Sequence, residues 1–152
     1  MQVDIQRVHA AEVGHIEVVK LLGNKADVNA SKHNGVTPLY IAAKDEHIEV
    51  MKLLLYNKAD VNASRHTDGA TPLFIAAEKG HIEVVKLLLD NEADVDASNN
   101  DGPTPLYMAA QNGHSEVVKL LLDKKANVNA RRADGDKPTD AAHHSEIVKL
   151  LL

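Results

Sequence analysis

The stretch TPLFIAAEKGHIEVVKLLLDNEADVDA at Thr71–Ala97 decides the fold, because copies of it lie on both sides. Each copy keeps one order of features: Thr-Pro-Leu, a pair of alanines, a histidine, a run rich in Val and Leu, and Ala-Asp-Val or Ala-Asn-Val. The marker prolines Pro38, Pro72, Pro105 and Pro138 are 34, 33 and 33 residues apart. A fixed period of this length is typical of a repeat protein.

The first half of one unit predicts a short helix. Thr71 is a good N-cap, and Pro72 at the first helical position loses no hydrogen bond, since that N–H has no partner inside the helix. Leu73, Ala76 and Ala77 then fall on one face, and the small alanines let a neighbouring backbone come close. We expect this face to pack inward.

The second half predicts a longer and more apolar helix. Gly80 can take the left-handed conformation that ends the first helix. The buried face of the second helix is predicted to contain Ile82, Val85, Leu88 and Leu89. A Glu-x-x-Lys pair lies on the solvent side and recurs at Glu17/Lys20, Glu49/Lys52, Glu83/Lys86, Glu116/Lys119 and Glu146/Lys149.

An extended arm and a glycine-containing turn then lead to the next Thr-Pro. A unit of this size buries too little apolar surface to fold alone, so stability must come from stacking. The chain of 152 residues is therefore expected to be a single domain, 1–152. Its units are predicted at about 1–30, 31–63, 64–97, 98–130 and 131–152, and the last is truncated, because Pro138 to Ser145 is shorter than Pro105 to Ser115.

The stretch TPLYIAAKDEHIEVMKLLL at Thr37–Leu55 and its equivalents resemble ankyrin repeats, and the resemblance covers nearly all of the chain. It implies an all-α solenoid of about five stacked helix-turn-helix units with hairpin-like turn tips. It also implies a non-enzymatic module that binds a protein or peptide. Two origins of this module remain open: it is a segment of a natural interaction protein, or it is an engineered or library-selected binder or scaffold.

Two departures from the ankyrin pattern carry expectations of their own. Lys25, Lys58, Glu92 and Lys125 stand where the family has a glycine of positive φ, so each is expected to be left-handed at a cost of about 1 kcal/mol. The preceding Asn24, Asn57 and Asn91 could carry that conformation instead. Aromatic residues replace the histidine of Thr-Pro-Leu-His: Tyr40, Phe74 and Tyr107.

Composition narrows the classes of function. A net charge of −5 argues against nucleic acid as the main partner, because binding phosphates needs a basic surface. The chain has no cysteine, so disulfides and thiolate zinc sites are excluded. We find neither a membrane-spanning run nor a signal peptide, and a cytoplasmic location is expected.

No catalytic residues, metal site or cofactor are predicted. Four of the nine histidines, His15, His47, His81 and His114, recur at one repeat position, where a bond to loop backbone between layers is expected. A metal-binding site at His143-His144 is disfavoured, because no acidic cluster lies beside these histidines in the sequence.

The resemblance implies that a partner is gripped by the turn tips and the exposed side of the first helix, which together form a concave face. We expect these side chains to have no packing role. At the tips they are His33, Asn34, Val36, His66, Thr67, Asp68, Ala70, Asn100, Asp101, Pro103, Ala133, Asp134 and Asp136. On the first helices they are Lys44, Asp45, Glu78, Lys79, Gln111 and Asn112.

The three aromatic residues have two interpretations. Tyr40, Phe74 and Tyr107 either pack between repeats or form a partly exposed row beside the groove, and we count them as candidate contacts. We expect a monomer, or weak self-association through the apolar Leu150–Leu152 edge.

Overall fold

The fold is taken from a computed structural model, and the structure describes His9 and residues 27–152. Residues 27–152 contain eight helices in four pairs and no strand. The pairs are α1 (Pro38–Lys44) and α2 (Ile48–Tyr56), α3 (Pro72–Lys79) and α4 (Ile82–Asp90), α5 (Pro105–Gln111) and α6 (Ser115–Asp123), and α7 (Pro138–Ala141) and α8 (Ser145–Leu151). Most of the first predicted unit, with Lys25, Asn24, His15 and the Glu17/Lys20 pair, lies outside the described residues.

Threonine caps start the first helix of the complete units. The hydroxyl oxygens of Thr37, Thr71 and Thr104 accept from the backbone N–H three residues on, at 3.2, 3.1 and 3.3 Å. A proline follows each cap. The cap therefore satisfies one of the N–H groups that a helix start leaves unpaired, as the sequence predicts.

The core runs between units as layers of small and branched side chains. Leu73, Ala76 and Ala77 of α3 are buried, as predicted, and α3 packs against both α1 and α5. The second helices contribute a parallel layer, which in α4 is formed by Val84, Val85, Leu88 and Leu89. Each helix pair is thus covered by its neighbours, which confirms the stacked architecture.

Ile82 was wrongly predicted to belong to this buried face. It is the first residue of α4 and is 37% exposed. It opens onto a shallow cleft that is also lined by Gly80, Gly113 and Ser115, and these small residues leave it partly uncovered.

Left-handed backbone occurs at the non-glycine positions that the sequence indicates. Lys58, Glu92 and Lys125 have φ of 66°, 64° and 62°. The alternative is wrong, since the preceding Asn57 and Asn91 have φ of −87° and −101°. In these three units the left-handed conformation therefore falls on a residue with a Cβ, and that Cβ causes the steric cost.

One further left-handed residue was missed. Glu46 has φ of 60° and occupies the place that Gly80 and Gly113 fill in the next two units, with φ of 76° and 79°. Its carboxylate Oε2 lies 3.4 Å from Nδ1 of His81 in the following unit.

Polar side chains tie successive units together at the loops and arms. Nε2 of His81 lies 3.0 Å from the Lys44 carbonyl oxygen, and Nε2 of His114 lies 2.9 Å from that of Glu78. This confirms the backbone-bonding role predicted for those two histidines. On the arms, side-chain oxygens of three residues accept from the backbone N–H of the next unit: Asn29 from Asp60 at 2.6 Å, Asn62 from Asp94 at 2.9 Å, and Asp96 from Asn127 at 2.9 Å.

The last unit is shortened at its first helix. α7 has four residues, and Lys137 stands where the other units have threonine. The carboxylate of Asp140 accepts from the Lys137 backbone N–H at 2.9 Å and so takes over part of the capping.

The predicted Glu-x-x-Lys pairs form in three units, with Nζ–Oε1 distances of 2.8, 3.2 and 2.9 Å at Glu49/Lys52, Glu83/Lys86 and Glu116/Lys119. In the last unit Glu146 instead lies 3.6 Å from Lys119.

Candidate partner-binding surface

Each turn tip is a tight hairpin-like turn closed by backbone hydrogen bonds. In the second unit Lys32 donates to the Val36 carbonyl at 3.0 Å, and Gly35 donates to that of Lys32 at 2.8 Å. The third unit carries one extra residue, and there Arg65 donates to Ala70 and Gly69 to Arg65. The glycine near the end of each turn has positive φ, so a side chain there would be strained.

The tips are joined into one row. His66 donates its backbone N–H to the Asn34 carbonyl at 2.7 Å, Asn100 donates to that of Asp68 at 2.8 Å, and Ala133 donates to that of Asp101 at 3.3 Å. The structure therefore brings the predicted tip residues of four units side by side. We call the exposed members the tip row: His33, Asn34, His66, Thr67, Asn100, Asp101, Ala133, Asp134 and Asp136.

Three predicted tip contacts are wrong. Val36, Ala70 and Pro103 are buried, because they follow the turn glycine and direct their side chains into the stack just before the threonine cap. A partner cannot reach them while the units stay packed.

The aromatic residues are also buried. Tyr40, Phe74 and Tyr107 are 2%, 5% and 3% exposed, so the interpretation as packing between repeats holds and an exposed row is not found. Burial raises the pKa of the Tyr40 hydroxyl. These buried rings pack within the stack and are not part of the exposed candidate surface.

Sequence reasoning missed two arginines that cover the tyrosines. The guanidinium carbon of Arg65 lies 5.5 Å from the ring centroid of Tyr40, a cation–π contact. Interaction with the Tyr107 side chain raises the pKa of the Arg132 guanidinium. A tip arginine therefore pairs with a tyrosine of the preceding unit in two of three cases.

The third case supplies the signal that could have revealed the pairing. Phe74 has no hydroxyl, and Asn99 stands at the matching tip position. The arginine and the tyrosine are thus present together or absent together within one chain.

Asp68 has a structural role that the sequence did not reveal. Both of its oxygens accept from Arg65, with Nε to Oδ1 at 2.8 Å, and Oδ1 also accepts from the Ala70 backbone N–H at 3.2 Å. These bonds to the charged form lower the pKa of the carboxyl. The expectation that Asp68 is free of packing duty is therefore wrong, and it is half-buried.

The predicted first-helix positions fall into two groups. Lys44, Asp45 and Lys79 are exposed, whereas Glu78 and Gln111 are half-buried. Asn112 is exposed but donates its side-chain amide to the Glu78 carbonyl at 2.9 Å, so it also holds two units together. This was not expected of Asn112.

The surface shows no sign of metal chemistry where the structure describes it. Within His9 and residues 27–152, no group of three or more His, Cys, Asp or Glu side chains is arranged to hold a metal ion. None of the helices described there is long and apolar enough to cross a membrane.

Comparison with known families agrees with the repeat architecture. The family model of ankyrin repeats matches three times, over residues 8–99, 57–132 and 92–152. Together these matches span most of the chain, which therefore belongs to the ankyrin-repeat family. A search of curated proteins finds no match. Ankyrin repeats are in general protein–protein interaction modules.

Proposed function

We propose that this protein is a non-enzymatic module that binds a protein or peptide through the tip row and the exposed sides of α1, α3 and α5. The observation that carries the proposal is the linkage of the four tips by backbone hydrogen bonds. Side chains that differ between units are thereby held at fixed spacing on a rigid support. Preorganisation of this kind lowers the entropy cost of binding.

The chemistry of the tip row favours a polar partner surface. Apart from Ala133, its members are histidine, amide, hydroxyl and carboxylate side chains, and the aromatic rings of the stack are buried. Recognition would then rest on hydrogen bonds and charge rather than on an apolar anchor in a pocket. The proposal involves no nucleic acid, membrane or cofactor. Self-association through the C-terminal leucines is a secondary proposal that rests on Leu152, which is exposed, since Leu151 is buried in the core.

Charge reversal on the two faces tests the proposal. The site variant combines Lys44→Glu and Lys79→Glu with His66→Ala, since all three side chains are exposed. The His66 ring also lies against Gly35 of the preceding tip, so any effect of its loss on the fold must be measured. The matched control combines Glu83→Lys and Lys86→Glu, which swaps a solvated pair on α4. Thermal unfolding followed by circular dichroism should show that both variants remain folded.

Quantitative capture of binding proteins with wild type and the two variants gives the readout. We expect proteins retained by wild type and by the control to be lost from the site variant. An interaction that survives the site variant and disappears with the control would place binding on the second helices. Because a library-selected binder would use the same surface, the test serves that alternative too.

A further inference from the structure

We propose that Asn34, in the tip of the second unit, is a site of spontaneous deamidation that adds a negative charge to the tip row. The chain has two Asn-Gly pairs, Asn34-Gly35 and Asn112-Gly113. A glycine after asparagine has no Cβ to shield its backbone nitrogen. In the closed tip Gly35 is buried against the His66 ring, so its nitrogen is reached only when the tip opens. The geometry distinguishes the two sites.

At Asn34 the side chain is folded over the reacting backbone. Its Oδ1 accepts from the Val36 N–H at 3.2 Å, two residues on. Such an Asx turn folds the side-chain amide back toward the intervening peptide unit, here that of Gly35. The side chain is exposed, and no hydrogen bond from its Nδ2 is found within residues 27–152.

At Asn112 the amide is held away from the reaction. Its Nδ2 donates to the Glu78 carbonyl of the preceding unit at 2.9 Å. Departure of that nitrogen would break a contact between units. The carboxylate product would also face a carbonyl oxygen that His114 already contacts.

The reaction needs only water. The Gly35 nitrogen loses its proton and attacks Cγ of Asn34, the Cγ–Nδ2 bond breaks, and ammonia leaves a cyclic imide. Water then adds to one imide carbonyl. Cleavage of the bond from Cγ to nitrogen gives aspartate, and cleavage of the main-chain bond gives isoaspartate. The Gly35 N–H donates to the Lys32 carbonyl at 2.8 Å, so the tip must open briefly before attack.

The aspartate product fits the tip, because other tips are already built with it. Asp68 and Asp134 occupy the matching position, and their Oδ1 atoms accept from the backbone N–H two residues on at 3.2 Å, as Asn34 does. Basic residues precede both of them: Arg65 pairs with Asp68, and Arg132 Nε lies 3.4 Å from Asp134. Lys32 stands at the same place in the second unit.

Isoaspartate does not fit, because it reroutes the main chain through the side chain. The Asn34 carbonyl, which accepts from the His66 N–H at 2.7 Å, would become a free carboxylate displaced from the turn. That product is expected to loosen the link between the second and third tips.

Peptide mass spectrometry of protein aged at neutral to mildly alkaline pH tests the proposal. In folded protein we expect conversion at Asn34 to be several-fold faster than at Asn112, whereas in denaturant the two Asn-Gly pairs should convert at similar rates. Asn34→Gln should remove the signal, and Asn34→Asp should unfold at the wild-type temperature. Conversion at Asn112 that is as fast as at Asn34, or faster, in the folded protein would overturn the assignment.

Discussion

At the residue scale, the left-handed positions show how the sequence signals strain. A lysine or glutamate where the repeat pattern calls for glycine was enough to predict positive φ at Lys58, Glu92 and Lys125, and the structure has it. The same logic applies to Glu46, which stands where other units have Gly80 and Gly113. The structural role of Asp68 could not be predicted in this way, because it depends on Arg65, which contacts Asp68 only after the turn has formed.

Relief of this strain should stabilise the protein. Lys58→Gly is expected to raise the free energy of unfolding by about 1 kcal/mol, since glycine adopts positive φ without a Cβ clash. Urea unfolding gives the value. The neighbour Asn57, with φ of −87° and a side chain that donates to the Leu53 carbonyl at 2.8 Å, is the control. Asn57→Gly should destabilise, and a Lys58→Gly variant weaker than wild type would contradict the strain argument.

The Arg65–Asp68 pair predicts a pH dependence. The pKa of Asp68 is lowered in the folded state by its bonds to Arg65, so its contribution to stability is present above the usual carboxyl pKa of about 3.9. That contribution is lost as the pH falls through the lowered folded-state value. The stability difference between wild type and Asp68→Asn should therefore be largest near neutral pH and shrink in acid, as measured by urea unfolding at several pH values.

A variant at Arg65 tests whether the Arg65–Asp68 pair causes this pH dependence. In an Arg65→Gln background, the difference between Asp68 and Asn should become small at every pH. A difference that stays constant from neutral to strongly acidic conditions would show that Asp68 acts without its charge.

At the element scale, helix patterning predicted most of the packing and failed at a helix end. The period of apolar residues in α4 correctly predicted burial of Val85, Leu88 and Leu89. It could not show that Ile82 is only partly covered, because coverage depends on the small residues of the next unit, including Gly113 and Ser115. The periodicity of one helix contains no information about its neighbour.

Two truncations in α4 measure this difference. Leu88→Ala should cost roughly 2–5 kcal/mol, since the side chain is fully buried and a cavity would remain. Ile82→Ala should cost much less, because 37% of that residue is already exposed. Chemical denaturation of both variants gives the comparison, and similar losses would mean that Ile82 is packed like a core residue.

At the scale of the whole molecule, stability should be graded along the stack. Each unit contacts mainly its neighbours, so opening is local and depends on how well a unit is covered. The sequence predicted this from the period alone. The candidate surface was less predictable. Exposure of most tip residues agrees with the sequence, whereas burial of Val36, Ala70, Pro103 and the aromatic rings depends on how the units pack.

Hydrogen exchange should resolve the gradient. Amides of α3 and α4, which are packed on both sides, are expected to exchange more slowly than those of α8, which follows the four-residue helix α7. Mass spectrometry of proteolytic peptides gives the rates. Slower exchange in α8 than in α4 would indicate that the last unit is stabilised by something other than stacking.

The central claim, that the tip row is the binding surface, is tested most directly by site-specific photo-crosslinking. In one variant a photoreactive residue replaces Thr67, which is exposed at the extra position of the third tip. In a second variant the same photoreactive residue replaces Lys86, which is exposed on α4. The proposal predicts that the partner retained by wild type is crosslinked from position 67 and not from position 86. Crosslinking from position 86 with none from position 67 would contradict it, and the fold alone would then stand.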